Sequence, residues 1–159
     1  MSDLDDKLEL IALQVVASKL ASRRELLGCS EAEIMRLEEF FSLRLPESYK
    51  TFLTIMGHGA GFFMRGTDAF YPSLLKNREA LSEVLTLDKD PFVLSTTTFV
   101  FSSHQGYIFH FFETSHEDQD PSVWGYREGE LTRKKIDDTF TSFLLTAIEE
   151  EAEAWSQLQ

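Results

Sequence analysis

The spacing of apolar residues changes twice along this chain, and that change restricts the possible folds more than any other feature. Up to about residue 87 apolar residues recur every three to five positions, the spacing of amphipathic helices. From residue 97 they alternate with a period of two, which is typical of strands, and after residue 139 the helical spacing returns. We therefore predict an α+β fold, in which N-terminal helices and a C-terminal helix pack on one face of an antiparallel β-sheet meander.

Capping signals place the predicted helices. Gly28 is expected to end the first helix, and Ser30 to Glu33 form a capping box that opens the second. Pro46 opens the third, because proline is tolerated at the first helical position, and Gly57 stops it. The predicted helices lie at residues 4–27, from 30, 46–57, 73–87 and 140–155.

The strand signals predict a four-stranded sheet. Its strands are expected at residues 97–102, 107–112 and 123–127 and around Leu131. Gln105-Gly106 is read as a hairpin turn, and the strand after it is apolar on both faces, so it should be central. The glycine-rich stretch from Gly57 to Gly61 follows a helix and not a strand. It is therefore interpreted as a helix stop leading to a strand, and not as a phosphate-binding loop.

Length and charge exclude several classes of protein. The 159 residues suit a single domain covering residues 1–159. The 27 Asp+Glu exceed the 15 Lys+Arg, and the net charge of -12 repels phosphate backbones and anionic membranes, so neither is an expected ligand. An acidic N-terminus, no apolar run of roughly 18 residues and one cysteine, Cys29, predict a cytoplasmic protein.

No catalytic, cofactor-binding or metal-binding residue is predicted. The four histidines lack the paired helical spacing of a metal site, and His110, in an aromatic strand, is expected to be a hydrogen-bonded core or edge residue. Cys29 lies between helices, beside acidic residues that would raise its pKa, and is expected to be inert. A hydrolase site assembled in space remains an alternative, which a deep pocket of convergent titratable groups would support.

The acidic residues are distributed unevenly. Residues 113–130 contain six carboxylates and only one basic residue. Four more carboxylates lie near the C-terminal end of the last helix, where the helix dipole disfavours negative charge, so they do not serve local stability. Such a pattern indicates either a solvated face or a partner surface. The predicted partner-binding residues are Glu117, Asp118, Asp120, Trp124 and Glu128. Trp124 either packs between its strand and a helix or, if it is exposed, anchors the interface.

Several segments occur in an order that resembles one family. They are Ile34 to Glu38, Leu45 to Leu53, Phe101 to Phe112, Asp120 to Trp124, and Asp138 to Leu144. Over residues 30–146 the chain is similar to the SUKH superfamily, in the branch related to a yeast regulator of cell-wall synthesis. One departure is Met56-Gly57-His58-Gly59, where that family commonly has an Asn-Gly pair.

The resemblance implies an α+β fold without catalytic residues or cofactors. Bacterial members of the family look like immunity proteins that neutralise polymorphic toxins, often nucleases, by stoichiometric binding. An acidic surface would complement the basic groove of such a toxin domain. The alternative is a regulatory protein-binding module or adaptor with a non-toxin partner.

Overall fold

A computed structural model describes residues 2–158 and confirms the α+β fold. The helices are α1 (Asp3–Ala17), α2 (Glu31–Phe41), α3 (Glu47–Met56), α4 (Asn77–Leu87) and α5 (Phe140–Gln157). The strands are β1 (Leu26–Leu27), β2 (Gly59–Ala60), β3 (Thr98–His104), β4 (Ile108–Glu113), β5 (Val123–Arg127) and β6 (Arg133–Asp137). Strands β1 and β2 pair with each other, and β3 to β6 form a four-stranded antiparallel meander.

The first helix is shorter than predicted. It ends at Ala17 and not at Gly28, because residues 18–27 form other structures. The backbone N–H of Ser22 donates to a Glu25 carboxylate at 2.9 Å and so caps a 3₁₀ turn, after which β1 pairs with β2. The apolar spacing that suggested a longer helix therefore serves a turn and a strand, and tertiary pairing overrides the local pattern.

The capping box of α2 is confirmed. The Ser30 hydroxyl accepts from the Glu33 backbone N–H, and a Glu33 carboxylate oxygen accepts from the Ser30 N–H at 2.9 Å. Pro46 immediately precedes α3, and Gly57 follows its last residue. The start of α2 and both ends of α3 are thus close to where the caps placed them.

The meander has the predicted order, with β4 in its interior. Gln105 and Gly106 both have positive φ values, of 53° and 76°, in the hairpin turn before it. The fourth strand was predicted around Leu131, which is wrong by a few residues: Leu131 lies in the turn with a φ of 59°, and the strand begins at Arg133.

Helices cover both faces of the sheet, so the prediction of a single covered face is wrong. On one face Phe99, Phe101 and Phe112 pack with Tyr49 of α3 and Phe140 of α5. On the other face α4 packs against a second apolar cluster of Leu81, Val84, Leu85, Val100, Phe109, Phe111 and Tyr126. Because successive residues of β4 point to opposite faces and both sets are apolar, each face needs a cover.

Among the helices of residues 2–158, none has the length together with the hydrophobicity that a transmembrane span requires.

Candidate functional site

Residues 114–122, between β4 and β5, form the acidic loop. Glu117 and Asp118 are exposed there. Gln119 fixes the loop to α3: its carbonyl accepts from the Ser48 N–H at 3.0 Å, and its side-chain oxygen accepts from the Glu47 N–H at 2.9 Å. These bonds satisfy the first turn of a helix that Pro46 cannot cap with a side chain. The two exposed carboxylates are therefore carried by an anchored loop.

Asp120 belongs to the same loop but is partly buried. One of its carboxylate oxygens accepts from the backbone N–H of Thr141 at 3.0 Å, and the other accepts from the Thr141 hydroxyl at 2.6 Å. Thr141 lies in the first turn of α5, where a negative charge is favoured by the helix dipole. Asp120 therefore joins the loop to α5, and its carboxylate is engaged within the fold.

Glu128 lies in the turn after β5, at the far end of the strand from the acidic loop. The five residues of β5 separate the two positions by roughly 17 Å at the usual rise of a strand. The Glu128 N–H donates to the Tyr107 carbonyl at 2.8 Å, which continues the pairing of β4 with β5. The structure therefore does not bring Glu128 together with Glu117 and Asp118.

Trp124 is partly buried on the face of the sheet that α4 covers. It packs against the second apolar cluster, and the Arg133 guanidinium lies 5.3 Å from its ring centre. The indole thus packs on the face of the sheet that α4 covers, while part of its surface stays exposed to solvent. Its participation in binding a partner remains a prediction.

A cleft of about 400 Å³ opens on the other face of the sheet, beside α5, and is called here the α5 cleft. Its polar lining includes Thr67, Ser102, His104, His110, Glu150 and Glu151. The Ser102 hydroxyl lies 3.0 Å from Nδ1 of His110, and the Thr67 hydroxyl lies 2.9 Å from Nδ1 of His104. Sequence patterns missed this cleft because its residues come from β3, β4, α5 and a loop.

Burial dominates the electrostatics of the α5 cleft. It lowers the pKa of His110 to about 4, with a smaller contribution from His104, so the ring is neutral at neutral pH. Burial also raises the pKa of Glu151, although the Met64 N–H that this carboxylate accepts at 2.7 Å acts in the opposite direction. The prediction that His110 is a hydrogen-bonded histidine is confirmed by its contact with Ser102.

The Ser102–His110 pair is the arrangement that a hydrolase would require, so its geometry matters. Ser102 is only 1% exposed, so almost none of its surface is accessible to a substrate in the cleft. Within residues 2–158 no carboxylate hydrogen bonds to the second ring nitrogen of His110 to orient it as a base. The cleft therefore holds a titratable histidine but not the geometry of an activated nucleophile.

Another polar cluster combines Cys29, Glu33 and His58. Each offers one ligand atom, and these atoms lie within 4.8 Å of one another. Burial, and secondarily Glu33, raises the pKa of the Cys29 thiol to about 12, in the direction that its acidic neighbours predicted. His58 was not associated with Cys29 from sequence, because only the pairing of β1 with β2 brings the two segments together.

Comparison with known proteins assigns the chain to a family. The model of the SMI1 / KNR4 family (SUKH-1) matches residues 28–146, from the segment before α2 into α5. Comparison with curated proteins found no match. The matched range contains the acidic loop, Trp124 and the Cys29–Glu33–His58 cluster. The chain therefore belongs to the SMI1 / KNR4 family (SUKH-1), whose members are generally immunity or regulatory proteins and not enzymes.

Proposed function

We propose that this protein is an immunity protein of the cytoplasm, which binds a basic toxin domain and neutralises it by stoichiometric contact. The observation that carries the proposal is membership of the SUKH-1 family by a chain with a net charge of -12. A nuclease must attract phosphate with a basic groove, and a strongly acidic protein complements that groove. Neutralisation then requires no chemistry from the immunity protein.

The acidic loop is the part of the surface best suited to such a partner. Glu117 and Asp118 are exposed, while Gln119 and Asp120 tie the same loop to α3 and α5. A surface that is already ordered loses less conformational entropy when it binds. Exposed charges also steer diffusional encounter, and so they act mainly on the association rate.

Trp124 and Glu128 fit the same proposal only if the partner spans β5. A standard interface buries about 800 Å² on each partner. A patch of that size is wide enough to cover the roughly 17 Å between the acidic loop and the turn after β5. The partly exposed indole of Trp124 would then lie within the contact area, where aromatic residues often contribute most of the binding energy.

Capture followed by an inhibition assay tests the proposed function. The tagged protein is purified from its native cells, and the co-purifying protein is identified, produced separately and assayed for toxic activity. We expect a basic toxin domain whose activity falls to background at an equimolar ratio. An unrelated protein of similar negative charge serves as a control for non-specific attraction. A stable partner without toxic activity would contradict the proposal and favour the regulatory adaptor.

A further inference from the structure

Two segments that are distant in sequence, residues 29–33 and His58, meet beside the C-terminal end of α3. Cys29 follows β1, Glu33 lies in the first turn of α2, and His58 lies immediately after Gly57. The Nε2 atom of His58 is 2.9 Å from both carboxylate oxygens of Glu33, and the Cys29 sulfur lies within 4.8 Å of both ligand groups. From this geometry we propose that Cys29, Glu33 and His58 form a binding site for a divalent transition metal, with Zn²⁺ as the preferred ion.

The backbone around the three side chains is fixed by hydrogen bonds that do not involve an ion. The Cys29 N–H donates to the Leu53 carbonyl at 2.8 Å, and the His58 N–H donates to the Leu27 carbonyl at 2.7 Å. The capping box holds Glu33 at both its backbone and its side chain: its N–H donates to the Ser30 hydroxyl at 3.2 Å, and its carboxylate accepts from the Ser30 N–H at 2.9 Å. Because the ligands are held before an ion arrives, binding does not have to order a flexible loop.

Gly57 provides the space that the sulfur occupies. A Cβ atom at this position would lie 2.5 Å from the Cys29 Sγ and 2.6 Å from the Leu53 carbonyl oxygen. Any side chain would therefore displace either the thiol or the end of α3. His58, the next residue, packs its ring against Tyr71 with the ring centres 5.4 Å apart. The close approach of the Cys29 thiol to the His58 imidazole thus depends on the absence of a side chain at Gly57.

The ligand types indicate which ion is preferred. Thiolate, imidazole and carboxylate are the ligands that Zn²⁺ uses in proteins, whereas Mg²⁺ and Ca²⁺ prefer sites made entirely of oxygen. A deprotonated thiol and a carboxylate together balance the charge of a divalent ion. Three protein ligands leave a fourth tetrahedral position for water, and the partly exposed Glu33 and the exposed His58 give access to it.

Protonation sets the condition for binding. Cys29 is only 7% exposed, and burial favours the neutral thiol when no ion is bound. A metal ion that coordinates the sulfur must displace that proton, as metal ions do at other thiol sites. The same ion replaces the hydrogen bond that joins Glu33 to His58 when the site is empty.

Cobalt is the probe for this site, because a Co²⁺–thiolate bond absorbs in the near ultraviolet. The full chain is treated with a chelator and titrated with Co²⁺. We expect the charge-transfer band to saturate at one ion per chain and to disappear when Zn²⁺ is added. Cys29→Ser should abolish the band, and His58→Gln should weaken Co²⁺ binding by at least roughly tenfold. His116→Gln, in the exposed acidic loop, is the matched control and should bind like the parent.

If Cys29→Ser does not fold, His58→Gln keeps the test decisive, because His58 is exposed and its replacement leaves the core intact. Absence of the charge-transfer band in the parent would overturn the proposal. So would equal Co²⁺ affinity in the parent and in a folded His58→Gln variant. The test requires no partner protein, so its result is independent of the proposed immunity function.

Discussion

The acidic loop and the α5 cleft both collect polar side chains, but they use them in opposite ways. In the cleft the Ser102 hydroxyl hydrogen bonds to Nδ1 of His110, and a Glu151 carboxylate oxygen accepts from the Met64 N–H, so these groups are engaged within the fold. In the loop Glu117 and Asp118 are exposed, and across residues 2–158 neither takes part in an ion pair. Buried polar groups thus set stability, whereas the exposed ones remain available to a partner.

The largest expected effect is the loss of folding stability that His110 causes at acidic pH. Its pKa is depressed to about 4 in the folded chain, so between about pH 6.5 and 4 the unfolded chain binds a proton that the folded chain does not. The contribution to stability is present above pH 6.5 and is lost as the pH falls through 4. It amounts to about 3 kcal/mol. Urea unfolding at pH 7 and pH 4 should show a smaller acid loss for His110→Gln than for the parent.

The other titratable groups of the α5 cleft are the same in the parent and in the His110→Gln variant. His104, Glu150, Glu151 and Asp137 line the same cleft and are retained, so the difference between parent and variant isolates His110. His116→Gln controls for the loss of an imidazole on an exposed loop and should follow the parent. An identical acid loss in the parent and in His110→Gln would show that the ring protonates freely in the folded state.

A smaller effect separates two neighbouring aspartates of the acidic loop. Asp120→Ala removes both hydrogen bonds to Thr141, and because the acceptor is charged, the free energy of unfolding should fall by about 2 kcal/mol. Asp118→Ala removes only a bond to the Asp120 N–H at 3.1 Å on an exposed residue and should change stability by less than about 0.5 kcal/mol. Equal losses in two denaturant titrations would contradict the structural role of Asp120.

The period of the apolar residues predicted most of the fold. The alternation around Phe109 and the turn at Gln105-Gly106 were sufficient for the meander, because both depend on neighbouring residues. The end of α1 was missed because Leu20 continues the helical spacing of Ile11 and Val15, although it lies in the turn that follows α1. Leu26 of β1 pairs with Ala60, and the Leu20 carbonyl accepts from the Phe62 N–H at 2.7 Å. No local pattern reveals these long-range contacts.

The candidate sites were predicted less well for the same reason. Asp118 and Asp120 are equivalent in the sequence, and only the position of α5 shows that one of them is engaged within the fold. Cys29 and His58 meet through a two-residue strand pair, which is too short to leave a signal in hydrophobic periodicity. The exposure of Glu117, by contrast, follows from its position in a polar loop between two strands.

The association rate with the captured basic partner tests the central claim most directly. It is measured at low and at physiological salt for the parent and for the double variant Glu117→Lys, Asp118→Lys. A second double variant, Glu79→Lys, Glu83→Lys, makes the same change in net charge on exposed residues of α4. This helix covers the opposite face of the sheet from α3 and α5, the two helices to which the acidic loop is tied.

We expect the acidic-loop variant to associate roughly tenfold more slowly at low salt, with a weaker dependence on salt, while its thermal stability is unchanged. The α4 variant should slow association much less. If both variants associate as fast as the parent at both salt concentrations, the acidic loop is only a solvated surface. If the two variants slow association equally, net charge alone governs the encounter, and the assignment of the binding surface to the acidic loop is wrong.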